Sequence, residues 1–295
     1  MNGGILYATL AYLCWGLFPL YFKQLQQVPA LEVIVHRSLW SLLFVLGLLA
    51  LLRRWAWLRP LLQRPRVLGL FVATALLLSA NSLAYVWAVQ QGHVLDASLG
   101  YFINPLVNVA LGFAFLRERP RPVQWLAVAL AALGVVWLTL QTGRLPWVAL
   151  VLAFSFGFYG LLRKTAPLGA LEGLTLETLL LAPLTAGLLA WWTWQGDSAL
   201  AHGDPVQIAW LLFSGPLTAV PLLLFAAGAR RLPLTTLGLI QYISPSMQFI
   251  LGVWLFHEPL APARLVAFAC IWAALAIYSL EGLWSSRRAA AAAAA

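Results

Sequence analysis

Apolar residues in this chain come in long unbroken runs, not in the spaced stripes of a soluble helix or the alternation of a half-buried strand. Ten such runs can be read, at about 5–22, 33–52, 67–89, 97–116, 123–140, 146–162, 174–194, 207–228, 235–256 and 262–282. Each is close to the roughly 20 residues a helix needs to cross a bilayer core. No water is available there to bond an exposed peptide group, so a helix, which bonds its own backbone, is the expected form. The segments between the runs are short and leave no room for a soluble domain. The pattern predicts an all-α polytopic membrane protein with ten transmembrane helices.

Composition agrees. The 295 residues are 62% hydrophobic and 9% charged, against about a quarter charged in a soluble domain. The +9 formal charge does not point to nucleic acid, because the cations cluster between apolar runs. Fourteen of the eighteen Lys and Arg lie on the side that would hold both termini and the even-to-odd loops: Arg53, Arg54, Arg59, Arg64, Arg66, Arg117, Arg119, Arg121, Arg163, Lys164, Arg230, Arg231, Arg287 and Arg288. Lys23, Arg37, Arg144 and Arg264 fall on the other. Cations are retained in the cytoplasm, so a multi-pass inner-membrane protein with cytoplasmic N- and C-termini is expected. Trp55, Trp57, Trp191, Trp192, Trp194 and Trp284 near run ends suit an interfacial belt. Cys14 and Cys270 lie inside apolar runs and read as packing residues. The first run has no basic residues before it, so no cleavable signal peptide is expected.

Shifted by 140 residues, the chain matches itself. Ala30-Leu31-Glu32 falls on Ala170-Leu171-Glu172, Pro105 on Pro245, Gly112 on Gly252 and Glu118 on Glu258. With one residue of slippage, Gly16 falls on Gly157 and Lys23 on Lys164. Five helices per copy is an odd number, so the second copy enters from the opposite face, the inverted repeat of many secondary transporters. The expected division is 1–142 and 143–288, followed by a low-complexity, frayed Ala tail at 289–295 with no assigned function. Duplication retained only for packing is the alternative.

Pro105 and Pro245, at matching places in runs four and nine, mark expected helix interruptions near a binding site. Beside them, Tyr101, Asn104 and Asn108 correspond to Gln241, Ser244 and Gln248, and each set forms one stripe on a helix face. Unpaired amides in lipid cost several kcal/mol (roughly), so both stripes should face inward, onto one central cavity. Interhelical hydrogen bonding is the alternative use of such amides. Asn81 and Tyr85 in run three, and Ser155 and Tyr159 in run six, add one pair each, and Trp15, Trp40 and Trp87 lie inside runs one to three. If these rings line the cavity, an amphipathic or aromatic solute would suit it. Lys23, Glu32 and His36 on one face, and Lys164, Glu172 and Glu177 on the other, are gate candidates, with Lys23–Glu32 and Lys164–Glu172 as local pairs, or as ordinary snorkelling groups at run ends. No carboxylate is expected deep within a run. Protons remain open as a coupling partner through His36 or the run-end carboxylates.

Four segments resemble the RarD family, in the EamA branch of the drug/metabolite transporter superfamily: His36–Ser41, Asp96–Asn108, Leu152–Gly160 and Thr236–Pro245. The family pattern has Glu where this chain has Asp96, which keeps the charge. The resemblance implies ten helices, cytoplasmic termini, a central cavity and transport of small metabolites or drugs. The sequence therefore reads as a secondary transporter, an exporter of small organic solutes such as amino acids, metabolites or drugs, working by alternating access between the two repeats. Import or exchange is the alternative, followed by an integral-membrane enzyme or a membrane protein without flux. No GxxxxGK[ST], HExxH or GxSxG pattern occurs, so no enzyme activity, cofactor or metal site is expected. Small residues in run five (Ala127, Ala131, Gly134) and run ten (Ala269, Ala273, Ala276) are expected to pack the two halves together, and leave a homodimer open.

Overall fold

Each of the ten apolar runs meets helix. The fold was obtained as a computed structural model, which describes residues 3–53, 55–62, 64–116, 121–229, 231 and 240–294. In chain order the helices are α1 (Gly3–Gly16), α2 (Phe18–Lys23), α3 (Ala30–Leu52), α4 (Leu58–Leu62), α5 (Pro65–Gln90), α6 (Val94–Leu116), α7 (Pro122–Thr142), α8 (Trp147–Thr165), α9 (Ala170–Gln195), α10 (Ala199–His202), α11 (Pro205–Ala229), α12 (Ile243–Ile250) and α13 (Pro262–Ala294). The α1–α2 pair, α3, α5, α6, α7, α9 and α11 contain stretches long and apolar enough to cross a membrane. The apolar parts of α8, α12 and α13 are shorter. Glu118, Arg54, Arg117, Arg119, Arg230 and the Thr236–Leu239 part of the run-nine motif lie outside the described residues.

Several helices begin earlier than hydropathy implies. α3 starts at Ala30 and α9 at Ala170. Glu177 therefore lies about two turns inside α9, buried, where no deep carboxylate was expected. Arg37 is likewise about two turns inside α3, not at a loop. Apolar burial alone does not set a helix start; Pro29 and Gly169 just outside these helices do, since both favour extended backbone.

The expected interruption in run four is absent. α6 continues through Pro105, clasped by α8 and α12. Run nine is broken, at a turn at Tyr242. Pro245 then sits in the first turn of α12, where a missing N–H costs little. α12 passes into one π-helical turn, Leu251–Leu255.

In lipid there is little hydrophobic drive between helices, and close approach takes its place. α1 packs on α11 and α12, α8 on α5 and α6, α3 on α9 and α11, and α7 on α13. At the tightest crossings only glycine fits. A Cβ on Gly100 would lie 2.7 Å from the Ala149 carbonyl oxygen, and one on Gly215 2.5 Å from that of Trp40. The α7–α13 seam uses Ala127, Ala131 and Gly134 as expected, but against Ala267, Cys270 and Ala274. Ala269, Ala273 and Ala276 are exposed. The rotation of α13 is set by its larger buried neighbours Phe268 and Ile271, which small-residue spacing does not reveal. Arg121 of α7 pairs with Glu281 of α13. α13 continues through the alanine stretch to Ala294, where fraying was expected, in keeping with alanine's helix propensity.

One end of the bundle is tied by loop contacts. Glu258 accepts the N–H groups of Val94 (2.6 Å) and Leu95 (2.9 Å) at the start of α6. Gln90 donates to the carbonyls of Leu25 and Val28. Arg264 meets Asp96 at 3.2 Å, and His93 meets the same carboxylate at 3.4 Å.

Candidate functional site

Eight segments enclose one cavity. Tyr12 and Trp15 come from α1, Phe18 from α2, and Arg37 from α3. Leu78, Asn81, Ser82 and Tyr85 come from α5, Tyr101 from α6, Phe156 from α8, and Leu222 from α11. Gln241, Ser244, Pro245 and Gln248 come from the run-nine segment. The space between these walls, open solvent at its mouth included, is about 680 Å³.

Six predicted site residues thus share this cavity: Asn81, Tyr85, Tyr101, Gln241, Ser244 and Gln248. The other four do not line it. Asn104 is fully buried, donating to the Ala153 carbonyl (3.0 Å) and accepting from Asn108 (3.1 Å) and Gln241 (3.3 Å). It takes the bonding role that amides also serve in membranes. Asn108 is exposed. Ser155 stands behind the wall, accepting from Asn81 at 2.9 Å. Tyr159 donates to Glu177 at 3.4 Å. The stripe of run four therefore splits: Tyr101 reaches the cavity, and Asn104 reaches α8 and the run-nine helix.

The polar wall is partly bonded to itself. Tyr101 donates its hydroxyl to Asn81 at 3.2 Å. Gln248 donates to the Ser244 hydroxyl (3.1 Å) and the Trp15 carbonyl (3.2 Å). Two buried polar atoms of the wall, the Tyr85 hydroxyl and Gln248 Oε1, have no partner among the described residues. Rings make most of the remaining surface: Tyr85 and Tyr101 have centroids 5.7 Å apart, and Tyr12 and Trp15 5.3 Å. Trp40 and Trp87 lie elsewhere, stacked on His36 and His93.

Arg37 is the residue that sequence reasoning placed wrongly. The sequence puts it at the opening of run two, among the cations on the side opposite the termini. In the structure its Nε donates to the Thr218 hydroxyl at 2.7 Å, and its guanidinium lies 5.9 Å from the centre of the Phe18 ring. No carboxylate among the described residues pairs with it. One signal was available: at the 140 offset Arg37 falls on Glu177, a matched pair of charged positions.

A second cleft shares Arg37, Leu78 and Ser82 with the cavity and continues past Ser38, Thr178 and Thr218 to Glu177. Arg163 approaches Glu177 at 3.8 Å and also lies over the Phe71 ring.

The gate candidates fall into separate contacts. Lys23 does not pair with Glu32; it lies 4.9 Å over the Phe256 ring. Glu32 accepts from the Ser198 hydroxyl (3.1 Å) and the Ala199 N–H (2.7 Å), because α3 starts early and turns this carboxylate toward the loop after α9. His36 stands 3.7 Å from Glu32 and accepts from the Trp40 indole at 3.0 Å. Glu172 is half-buried in the first turn of α9. The Lys164 side chain lies outside the described residues. Burial raises the pKa of Glu258, in the loop before α13, against the opposing pull of its two backbone donors and Arg264.

The family model described as the EamA-like transporter family matches twice, at residues 2–140 and 145–280. An uncharacterized transporter of Pseudomonas aeruginosa is 50% identical over 288 residues, covering 98% of this chain and 97% of its own. Protein RarD of Escherichia coli is 44% identical over 288 residues, covering 97% and 96%. A chloramphenicol-sensitive protein RarD of Pseudomonas aeruginosa is 33% identical, covering 97% and 95%. Among solved structures, one crystal structure superposes with a TM-score of 0.60 over 94% of this chain and 97% of its own, at 19% identity, a likeness of fold.

Proposed function

This chain belongs to the EamA-like transporter family and is a multi-pass membrane transporter, and on that premise we propose that it is a secondary exporter of small organic solutes working by alternating access. The observation that carries this reading is the cavity itself: its polar wall joins Asn81, Tyr85 and Tyr101 of the first half to Gln241, Ser244 and Gln248 of the second. Two inverted repeats, 1–142 and 143–288, would exchange conformations about it. The double family match supports that division. So does the pairing of helices, since α1 packs on α11 and α12 as α8 packs on α5 and α6. The second cleft lies on the same seam: Arg37 and Glu177, Ser38 and Thr178, and Leu78 and Thr218 are all 140 apart.

Export is the direction that the resemblance to exporter-containing relatives implies. The charge distribution supports an inner-membrane location with both termini in the cytoplasm. Lys23, Glu32 and His36 would serve the outer end of the pathway, and Lys164, Glu172 and Glu177 the inner end. The relative described as chloramphenicol-sensitive makes drug-sized amphipathic solutes sensible members of a test panel.

The test is flux in proteoliposomes containing only this protein, with labelled amino acids, drugs and other metabolites, with and without a pH gradient. Saturable flux that falls at least about tenfold in Gln241→Leu, and survives in Trp194→Phe at the exposed end of α9, is the expected result. Substrate accumulation against its gradient only in the direction equivalent to import would overturn export. No saturable flux across the panel, from folded protein, would count against transport through this cavity.

A further inference from the structure

The cavity holds one charged side chain. Of the residues that line it, Arg37 alone is ionised at neutral pH. Among the described residues its hydrogen bond runs from Nε to the neutral Thr218 hydroxyl, and no carboxylate lies within ion-pair distance. A cation inside a membrane helix is costly unless it is paired or serves a solute pathway. The second half shows what pairing looks like in this fold. There the position equivalent to Arg37 is Glu177, and Arg163, beside the Lys164 that matches Lys23, approaches it at 3.8 Å. In the first half the position of Glu177 is taken by a cation, Arg37. The pair that closes one half cannot form in the other, and one guanidinium lines the cavity with no partner for its terminal nitrogens among the described residues.

Resting on the transport reading above, we propose that Arg37 is the anion anchor of the cavity and that the transported solute is an organic monoanion, a carboxylate or sulfonate with a planar apolar body. The guanidinium fork matches a carboxylate in two parallel hydrogen bonds. The Tyr85 and Tyr101 phenols are its electrostatic neighbours, and the unpartnered Tyr85 hydroxyl supplies a further donor. The rings of Trp15, Phe18 and Phe156 bound the rest of the space and suit a flat apolar body. A phosphate monoester fits less well: it carries a second negative charge near neutral pH, no second cation lines the cavity, and a buried uncompensated charge is penalised. Gln248 Oε1, buried and unpartnered, is an acceptor for one N–H or O–H of the solute.

The test uses isosteric probe pairs on the purified full-length protein: phenylacetate against phenylacetamide, and indole-3-acetate against indole-3-acetamide. Binding is followed by calorimetry and, for the phenyl pair, by quenching of Trp fluorescence. Each acid should bind at least about tenfold more tightly than its amide, the fold-change expected of a charge-assisted hydrogen bond. Arg37→Gln should abolish that preference while leaving amide affinity within about twofold, and Arg37→Lys should restore part of it. Phenyl phosphate should bind more weakly than phenylacetate. Equal affinity for acid and amide in the unsubstituted protein overturns the anion anchor, with no variant required. So does an acid preference that persists in Arg37→Gln. Acid-selective binding without flux in proteoliposomes would uphold the anchor and sink the transport reading. Saturable flux of neutral or cationic solutes, indifferent to Arg37→Gln, would do the reverse.

Discussion

Replacing Asn104 by leucine separates bonding from binding at the centre of this protein. The amide joins three segments: its nitrogen donates to the Ala153 carbonyl of α8, and its oxygen accepts from Asn108 of α6 and from Gln241 beside α12. It is fully buried and does not line the cavity. Leucine is close in volume, so the lost hydrogen bonds dominate. Interhelical hydrogen bonds in membranes average about 0.6 kcal/mol. Three bonds of that size, two between segments and the Asn108 bond within α6, amount to about 2 kcal/mol, and about 3 kcal/mol at the value of roughly 1 kcal/mol each found in soluble proteins. Asn104→Leu should therefore lower stability by about 2–3 kcal/mol, measured by reversible unfolding in mixed detergent micelles with Trp fluorescence as the probe. A cycle with Gln241→Leu should show a coupling of at least about 0.5 kcal/mol, since contacting residues do not add. Strict additivity would refute the direct bond, and a loss below about 0.5 kcal/mol would mean that the amide exchanges protein partners for water at little cost.

Two further outcomes follow from the packing and the loop contacts. Gly100→Ala and Gly215→Ala each place a Cβ against the backbone of a facing helix, α8 or α3. Each should cost about 1–3 kcal/mol in the same unfolding assay, whereas Gly187→Ala, which meets nothing within 4 Å, should not destabilise. Glu258 has its pKa raised by burial from 4.5, so the folded protein holds that proton more tightly than the unfolded chain. Its contribution is then complete below about pH 4.5 and declines as pH rises through the raised value. Stability curves measured from pH 4 upward should show this decline in the native protein and a flatter line in Glu258→Gln.

Much of the architecture was legible because lipid imposes a simple rule. A segment must be apolar for about 20 residues and must bond its own backbone, and ten runs declare themselves on that basis. The 140-residue offset was legible for a similar reason, since equivalent positions retain Glu32 and Glu172, or Pro105 and Pro245. The site was only partly legible. Tyr101 and Asn104 are neighbours on one helical stripe, yet the small rotation that separates them puts the phenol in the cavity and the amide into α8. Lys23 and Glu32 are close in sequence and took different partners, Phe256 and Ser198, because segments far along the chain arrive between them.

The sequence by itself determined the solvent, the helical class, the approximate span positions and the internal duplication, all of which follow from hydropathy and repetition along one dimension. Tertiary structure alone decided the depth of Arg37 and Glu177, the working face of α13, and which polar groups line the cavity and which bond helices together. Those outcomes depend on where each helix starts and how it is rotated, and both are set by close packing against neighbours more than 100 residues away, such as Trp40 against Gly215. A shift of one residue turns a helical side chain through about 100°, enough to move a group from one helix interface to the next.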